Sequence, residues 1–198
     1  MNINFFKMKK TILLMTAFLS LQLMGQKKED IQPELLKMMV ATNQMDFKKV
    51  MDYTYPAIFD LAPREMLVEV MESSLENDMF KMSFIETNSI PTISDVKEIK
   101  GGHYSLVNMP TKMKMAFKTQ LEENQVGQMI EGMKANMNAN KIEFNKEENA
   151  LIIDLVTTSI AAFDKHTENT WKFLSYQSEQ REQMIMIIDE EILKGLGL

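Results

Sequence analysis

One long apolar run late in the chain constrains this fold more than any other feature. Residues 150–163 read ALIIDLVTTSIAAF, and strands in globular proteins usually have about five or six residues. The run therefore predicts a strand long enough to bend across a whole core. Alternating or apolar segments predict further strands at residues 80–85, 96–100, 103–108, 112–117, 142–144 and 170–176.

Helical periodicity lies mostly outside these strands, within residues 31–77, 122–137 and 178–193. Pro33 is expected near a helix start and Asp46 is expected to cap a short helix. The order segregates helices from strands that are joined by hairpins. It predicts an α+β fold with amino-terminal helices packed on a curved, mostly antiparallel sheet, and with a carboxy-terminal helix.

The first 25 residues have the three zones of a secretory signal peptide. Lys7, Lys9 and Lys10 provide the positive start, residues 11–24 are apolar, and Gly25 offers a cleavage point. The apolar zone is shorter than the roughly 20 residues that span a bilayer. We expect residues 1–25 to be cleaved and residues 26–198 to form a single soluble α+β domain that is exported, either periplasmic or secreted. Translation could begin at Met8 as well as at Met1, because Met8 directly precedes Lys9 and Lys10.

Charge and cysteine content exclude several kinds of partner and site. The net charge of −6 becomes more negative once the signal lysines are removed, which argues against nucleic acid and anionic membranes as partners. No second long apolar run follows, so no membrane span is expected after cleavage. The chain has no cysteine, which excludes disulfides and thiolate metal sites.

Methionine is unusually frequent, with 20 of 198 residues. Three interpretations are an adaptable apolar binding surface, soft-metal capture by thioethers, and plain filling of the core. Met113 and Met115 alternate along a predicted strand, and Met129, Met133 and Met137 follow a helical spacing. These positions favour core filling.

A resemblance to a known family is carried by four segments: Asp46–Pro56 (DFKKVMDYTYP), the helix at residues 64–75, and the late strands at 151–163 and 170–174. Together they resemble the nuclear transport factor two-like superfamily. The resemblance implies a cone-like fold, in which amino-terminal helices pack into the concave face of a curved sheet. The helices at 122–137 and 178–193 depart from the compact members. The superfamily contains isomerases and dehydratases as well as non-catalytic binding domains, so the resemblance alone gives no function.

Four residues are weak candidates for a site. Asp154 lies between apolar neighbours and would be a general base if it faced a pocket, although alternation with Leu155 favours the solvent face. Tyr53 and Tyr55 would be able to donate hydrogen bonds to a ligand, although such tyrosines are commonly core residues. Trp171, the sole tryptophan, is either a ligand or dimer anchor or a core residue.

The sequence contains no recognisable metal-binding or catalytic motif. His103 and His166 lie beside turn-like residues without metal-ligand spacing, and we expect exposed loop histidines. No metal and no cofactor is predicted.

Three functions remain. The first is an exported, non-enzymatic domain that binds an apolar small molecule or a protein partner, with a homodimer through the sheet face as one possibility. The second is a cone-fold enzyme of the isomerase or dehydratase kind, with a single carboxylate acting on a small hydrophobic substrate. The third is a structural envelope protein with no pocket.

Overall fold

A computed structural model describes residues 27–137 and 139–198. The predicted signal peptide, residues 1–25, lies outside the described residues. The helices are α1 (Lys28–Asn43), α2 (Phe47–Tyr53), α3 (Arg64–Leu75), α4 (Glu123–Asn136), α5 (Arg181–Met184) and α6 (Glu190–Leu196). The strands are β1 (Phe80–Ile85), β2 (Thr92–Ile93), β3 (Lys97–Ile99), β4 (Gly102–Phe117), β5 (Ala139–Asn145), β6 (Ala150–Phe163) and β7 (Lys172–Tyr176). Short 3-10 helices occupy Pro56–Asp60 and Ser178–Gln180.

The strands of the described chain form one curved, open, antiparallel sheet of seven strands. Its centre is the long pair of β4 and β6, which stays in register from His103 opposite Phe163 to Ala116 opposite Ala150. β1, β2 and β3 pair with one edge of β4, while β5 and β7 pair with opposite ends of β6. The α+β class, the amino-terminal helices and the carboxy-terminal helix are as predicted.

The two faces of the sheet are covered differently. On one face, which we call the helix face, α1 packs on Val107, Ala161 and Phe173, and α4 packs on Leu151 and Ile153. The opposite face is covered by the carboxy-terminal segment only at the end that carries Ile160 and Ala162. Each fully buried Ile or Leu contributes about 1.5–3 kcal/mol, so the helix face contains much of the stabilising core.

Local signals set several helix boundaries. Asp46 caps α2 as expected, because its carboxylate accepts a hydrogen bond from the Lys49 amide at 3.1 Å. The position expected for Pro33 was wrong, since α1 begins at Lys28 and Pro33 lies inside it. No helix in residues 27–137 and 139–198 combines the length and the apolar character needed to cross a membrane.

The two strands predicted at residues 103–108 and 112–117 are one strand, β4, and Pro110 does not divide it. Pro110 lies opposite Val156 of β6. On its other edge, β4 pairs with β2 up to Asn108 and with β1 from Lys112 onward, so Pro110 lies between the two paired stretches. Proline lacks an N–H donor, so a stretch of strand edge with no neighbour accommodates it without losing a ladder bond.

The strands predicted at residues 96–100 and 103–108 place a hairpin turn at Gly101-Gly102, but the turn lies one residue earlier. Ile99 pairs with Gly102, and the two-residue turn is Lys100-Gly101, with φ angles of 53° and 78°. Two consecutive left-handed residues are typical of a type I′ turn. Gly102 is needed for packing instead, because a Cβ there would lie 2.5 Å from the Tyr104 hydroxyl.

The single helix predicted for residues 178–193 was also wrong. The segment forms a 3-10 helix, α5 and α6, with turns between the last two. Asp189 begins α6 by accepting a hydrogen bond from the Glu191 amide at 2.8 Å, and a side-chain cap of this kind starts a new helix. Because the helix is interrupted, Met184, Ile188 and Leu193 all pack in the hydrophobic cluster around Ile160.

Candidate functional site

The main candidate site is a cavity of about 680 Å³, hereafter the first cavity, between the amino-terminal helices and the sheet. Its volume lies within the range of about 300–1,000 Å³ that is usual for small-molecule sites. α1, α2 and α3 form one wall, the centres of β4 and β6 form the floor, and β7 with the residues after it forms one side. The wall and floor contribute apolar side chains that include Met38, Met39, Met51, Leu67, Met71, Phe84 and Met109.

Polar groups on the floor of the first cavity come from three strands. Thr111 on β4 and Thr157 on β6 lie 3.3 Å apart between their hydroxyl oxygens and satisfy one another. Ser159 follows Thr157 on the same face of β6, and Ser175 of β7 lies directly opposite Ser159. The floor is therefore a short row of hydroxyl groups between apolar walls.

Ser159 differs from its neighbours because its hydroxyl has no partner. Its side chain lines the first cavity and the residue is only 5% exposed. Within the described chain, its hydroxyl makes no hydrogen bond, whereas the equally buried Ser105 donates to the Ser94 carbonyl at 2.8 Å. The hydroxyl is not sealed in the core, since Trp171 Nε1 is the one buried side-chain polar atom without a partner in the described chain. It opens into the cavity, where it is available to a ligand.

The first cavity contains little that is charged. Among the described residues that line it, Lys112 is the only one with a charged side chain, and no carboxylate or histidine is present. Lys112 is already paired, with its Nζ 3.3 Å from the Asp154 carboxylate. Apart from this paired lysine, the described lining holds none of the side chains that usually act as general acid or base, namely histidine, carboxylate, tyrosine or cysteine.

Asp154, the candidate catalytic carboxylate, lies on the face opposite the helices. Its side chain is 36% exposed, pairs with Lys112 and lines neither cavity described here. This is the solvent-face orientation that alternation with Leu155 favoured.

The two candidate tyrosines also lie outside the cavity lining. Tyr53 is partly buried between two hydrophobic clusters. Tyr55 is buried, and its hydroxyl donates to Asp164 Oδ2 at 2.8 Å. Its hydroxyl is thus engaged within the protein rather than turned toward a ligand.

Tyr55 belongs to a cluster that the sequence did not reveal. Tyr104 also donates to Asp164 Oδ2 at 2.8 Å, and the His166 amide donates to Asp164 Oδ1 at 2.8 Å. Burial, and secondly the hydrogen bond to Asp164, raises the pKa of both tyrosines well above the ordinary value. The tyrosine cluster (Tyr55, Tyr104 and Asp164) therefore braces the fold with neutral phenols on one carboxylate.

Trp171 is a core residue. It is 3% exposed and packs between α1 and Phe163, with ring centroids 5.6 Å apart from the latter. Its indole N–H has no hydrogen-bond partner within the described chain. Trp171 is therefore not on the surface, where a dimer contact would need it.

The two histidines, His103 and His166, lie in different surroundings. His166 is exposed in a turn, as expected, and contacts the edge of Tyr55. The expectation of a loop was wrong for His103, which lies on β4 beside Phe163. Within residues 27–137 and 139–198, no group of three or more His, Cys, Asp or Glu side chains is arranged to hold a metal ion.

A second cavity, of about 760 Å³, lies beside α4 on the same helix face. Its lining is rich in methionine and includes Met79, Met115, Met129, Met133 and Met137. Met129 and Met133 also pack on the cluster of Ile142, Leu151 and Ile153. Methionine at these positions fills space around the core, which agrees with the spacing in the sequence.

Sequence reasoning overlooked Ser159, Ser175 and Asp164. One signal was present for the first: Thr157 and Ser159 place hydroxyls on alternate positions of the most apolar strand in the chain.

In comparisons with known proteins, no family model, no curated protein and no solved structure matches this chain.

Proposed function

We propose that this protein is an exported, non-enzymatic binding domain whose ligand is an apolar small molecule held in the first cavity. The observation that carries the proposal is an open cavity of about 680 Å³ with mainly apolar walls and a few convergent hydroxyl groups. Apolar pockets with a small number of placed polar groups are the usual form of small-molecule sites. Export rests on the amino-terminal sequence pattern alone.

The kinship with the nuclear transport factor two-like superfamily is part of the same proposal. Helices that face a curved antiparallel sheet, with a cavity between them, support it. α4, inserted between β4 and β5, is a departure from the compact pattern.

The two alternatives have less support. An enzyme that uses Asp154 would need this carboxylate in a cavity, yet it is half-exposed and paired with Lys112. A structural protein without a pocket would need the space beneath the helices to be filled. The pairing of Asp154 with Lys112 and the open first cavity support the binding proposal better than either alternative.

Binding is tested with an uncharged environment-sensitive dye such as Nile red. We expect saturable binding, with the blue-shifted emission of an apolar site. Thr157→Phe, which places a ring in the first cavity, should weaken binding at least roughly tenfold by occupying the ligand's space.

Thr158→Phe is the matched control, because Thr158 is the next residue on β6 and points to the opposite face, where its hydroxyl donates to Asn108 at 2.8 Å. It should bind the dye like the wild type. If a folded Thr157→Phe variant kept wild-type affinity, the first cavity would not be the binding site.

A further inference from the structure

We infer that the ligand of the first cavity is an uncharged amphiphile: an apolar body with one hydroxyl or carbonyl group that hydrogen-bonds to Ser159. This inference rests on the proposed function and specifies the chemistry of the ligand. It starts from the one side chain of the cavity floor that is both nearly fully buried and without a partner in the described chain.

Ser159 is placed for a ligand rather than for the protein. It lies in the middle of the β6–β7 pair, opposite Ser175, which is exposed and whose hydroxyl also has no partner among the described residues. A serine hydroxyl donates one hydrogen bond and accepts two. A ligand hydroxyl or carbonyl at this point would satisfy Ser159 and would regain the hydrogen bond that it loses on leaving water.

The rest of the polar lining is neutral. Gln177, Gln180 and Gln183 line one side of the cavity and make no side-chain hydrogen bond within the described chain. They add amide donors and acceptors without adding charge. Polar groups of the ligand near the entrance can thus be matched without an ion pair.

An anionic head group is disfavoured by the same lining. The only charged side chain in the described lining, Lys112, is neutralised by Asp154. Asp154 and Ser159 are separated by about 17 Å along an extended strand. A carboxylate beside Ser159 would be buried without a countercharge, and that is costly.

The test compares three probes of equal chain length on the purified protein: decanol, decanoate and decane, each by displacement of Nile red. Decanol should bind roughly tenfold more tightly than decane, which is the worth of one good hydrogen bond. Decanoate should bind more weakly than decanol.

Ser159→Ala should remove the advantage of decanol over decane and leave decane affinity unchanged. Ser105→Ala is the matched control, because Ser105 is equally buried on the same face but lines neither cavity. Ser159→Cys, which keeps the volume but donates weakly, should give an intermediate ratio and provides a second variant if Ser159→Ala does not fold.

The outcomes separate the two proposals. If decane and decanol bind equally to the wild type, or if Ser159→Ala and Ser159→Cys keep the decanol advantage, the inference is overturned while the binding function stands. If decanoate binds most tightly, the uncharged head group is wrong. If none of the three probes binds, the proposed function fails together with the inference.

Discussion

The two cavities lie on the same face of the same sheet, yet their linings differ in a way that separates binding from packing. The first cavity has a floor of hydroxyl groups, one of them buried without a partner at Ser159. In the described chain, the second is lined by five methionines, three of which (Met115, Met129 and Met133) also pack on the core around Ile153. A methionine fills irregular space with apolar contacts alone, whereas a hydroxyl that opens into a cavity without a protein partner can donate and accept hydrogen bonds. The first lining therefore offers a ligand a hydroxyl group without a protein partner as well as apolar contacts.

The comparison predicts that changes near the second cavity reduce stability and leave binding intact. Ile153→Ala, in the fully buried cluster beneath α4, should lower the free energy of unfolding by about 3 kcal/mol, because it opens a hole in packed core. Urea unfolding measures this loss. Val156→Ala, on the opposite face of the same strand and 40% exposed, is the control and should change little. Loss of Nile red affinity in a folded Ile153→Ala variant would mean that the cavities are coupled.

A second prediction concerns the side of the first cavity. Leu174, Met184 and Ile187 line this cavity and also pack in the cluster around Tyr55 and Tyr104. Asp164→Asn replaces the charged acceptor of both phenols and should cost about 2 kcal/mol in unfolding free energy.

Dye affinity should fall in the same variant, since this side of the cavity loses its brace. Asp60→Asn, at an exposed residue, should alter neither quantity. If Asp164→Asn destabilised the protein without any change in dye affinity, the tyrosine cluster would be unrelated to the cavity.

The tyrosine cluster also predicts a pH dependence. A tyrosine whose pKa is raised by folding contributes stability that is fully present below the unfolded pKa of about 10, and that is lost as the pH rises towards the folded value. Unfolding free energy should therefore fall as the pH increases above about 10.

Tyr104→Phe should make this alkaline decline shallower, because one of the two shifted phenols is gone. Urea unfolding at a series of pH values measures the slope. An unchanged slope in Tyr104→Phe would show that the decline has another origin.

The smallest expected effect lies at the boundary of the first cavity. Asp154→Asn breaks a half-exposed ion pair with Lys112, and such pairs contribute less than about 1 kcal/mol. Unfolding free energy should change by no more than that, and decanol affinity should stay at the wild-type value. A clear loss of decanol binding would place Asp154 in the site and favour the enzymatic alternative.

Much of the fold followed from local pattern. The long strand at 150–163, the strand at 80–85, the helix at 64–75 and the Asp46 cap were all predicted, because alternation, helical periodicity and capping are properties of neighbouring residues. The errors arose where a local signal was overruled. Pro110 fits a gap in strand pairing, and the final helix is divided where Asp189 caps a new turn.

The site was much less predictable. Asp164 looked like an ordinary turn residue, because its partners Tyr55 and Tyr104 are 109 and 60 positions away in the chain. Ser159 is one of several hydroxyl residues in its strand, and Thr157 and Thr158 both find partners that Ser159 lacks. Whether a hydroxyl has a hydrogen-bond partner depends on residues that are distant in the chain and close in the fold. The spacing of residues along the sequence does not predict it.

The sequence by itself determined the strand and helix faces of this protein, because burial of apolar surface at a regular period needs no knowledge of the partner element. Only the tertiary structure decided which space beneath the helices stayed open and which polar group was left in it. The physical reason is that a cavity and an unpaired hydroxyl are properties of surfaces brought together from distant segments. α1, β6 and β7 all line the cavity into which Ser159 opens, although they are far apart in the chain.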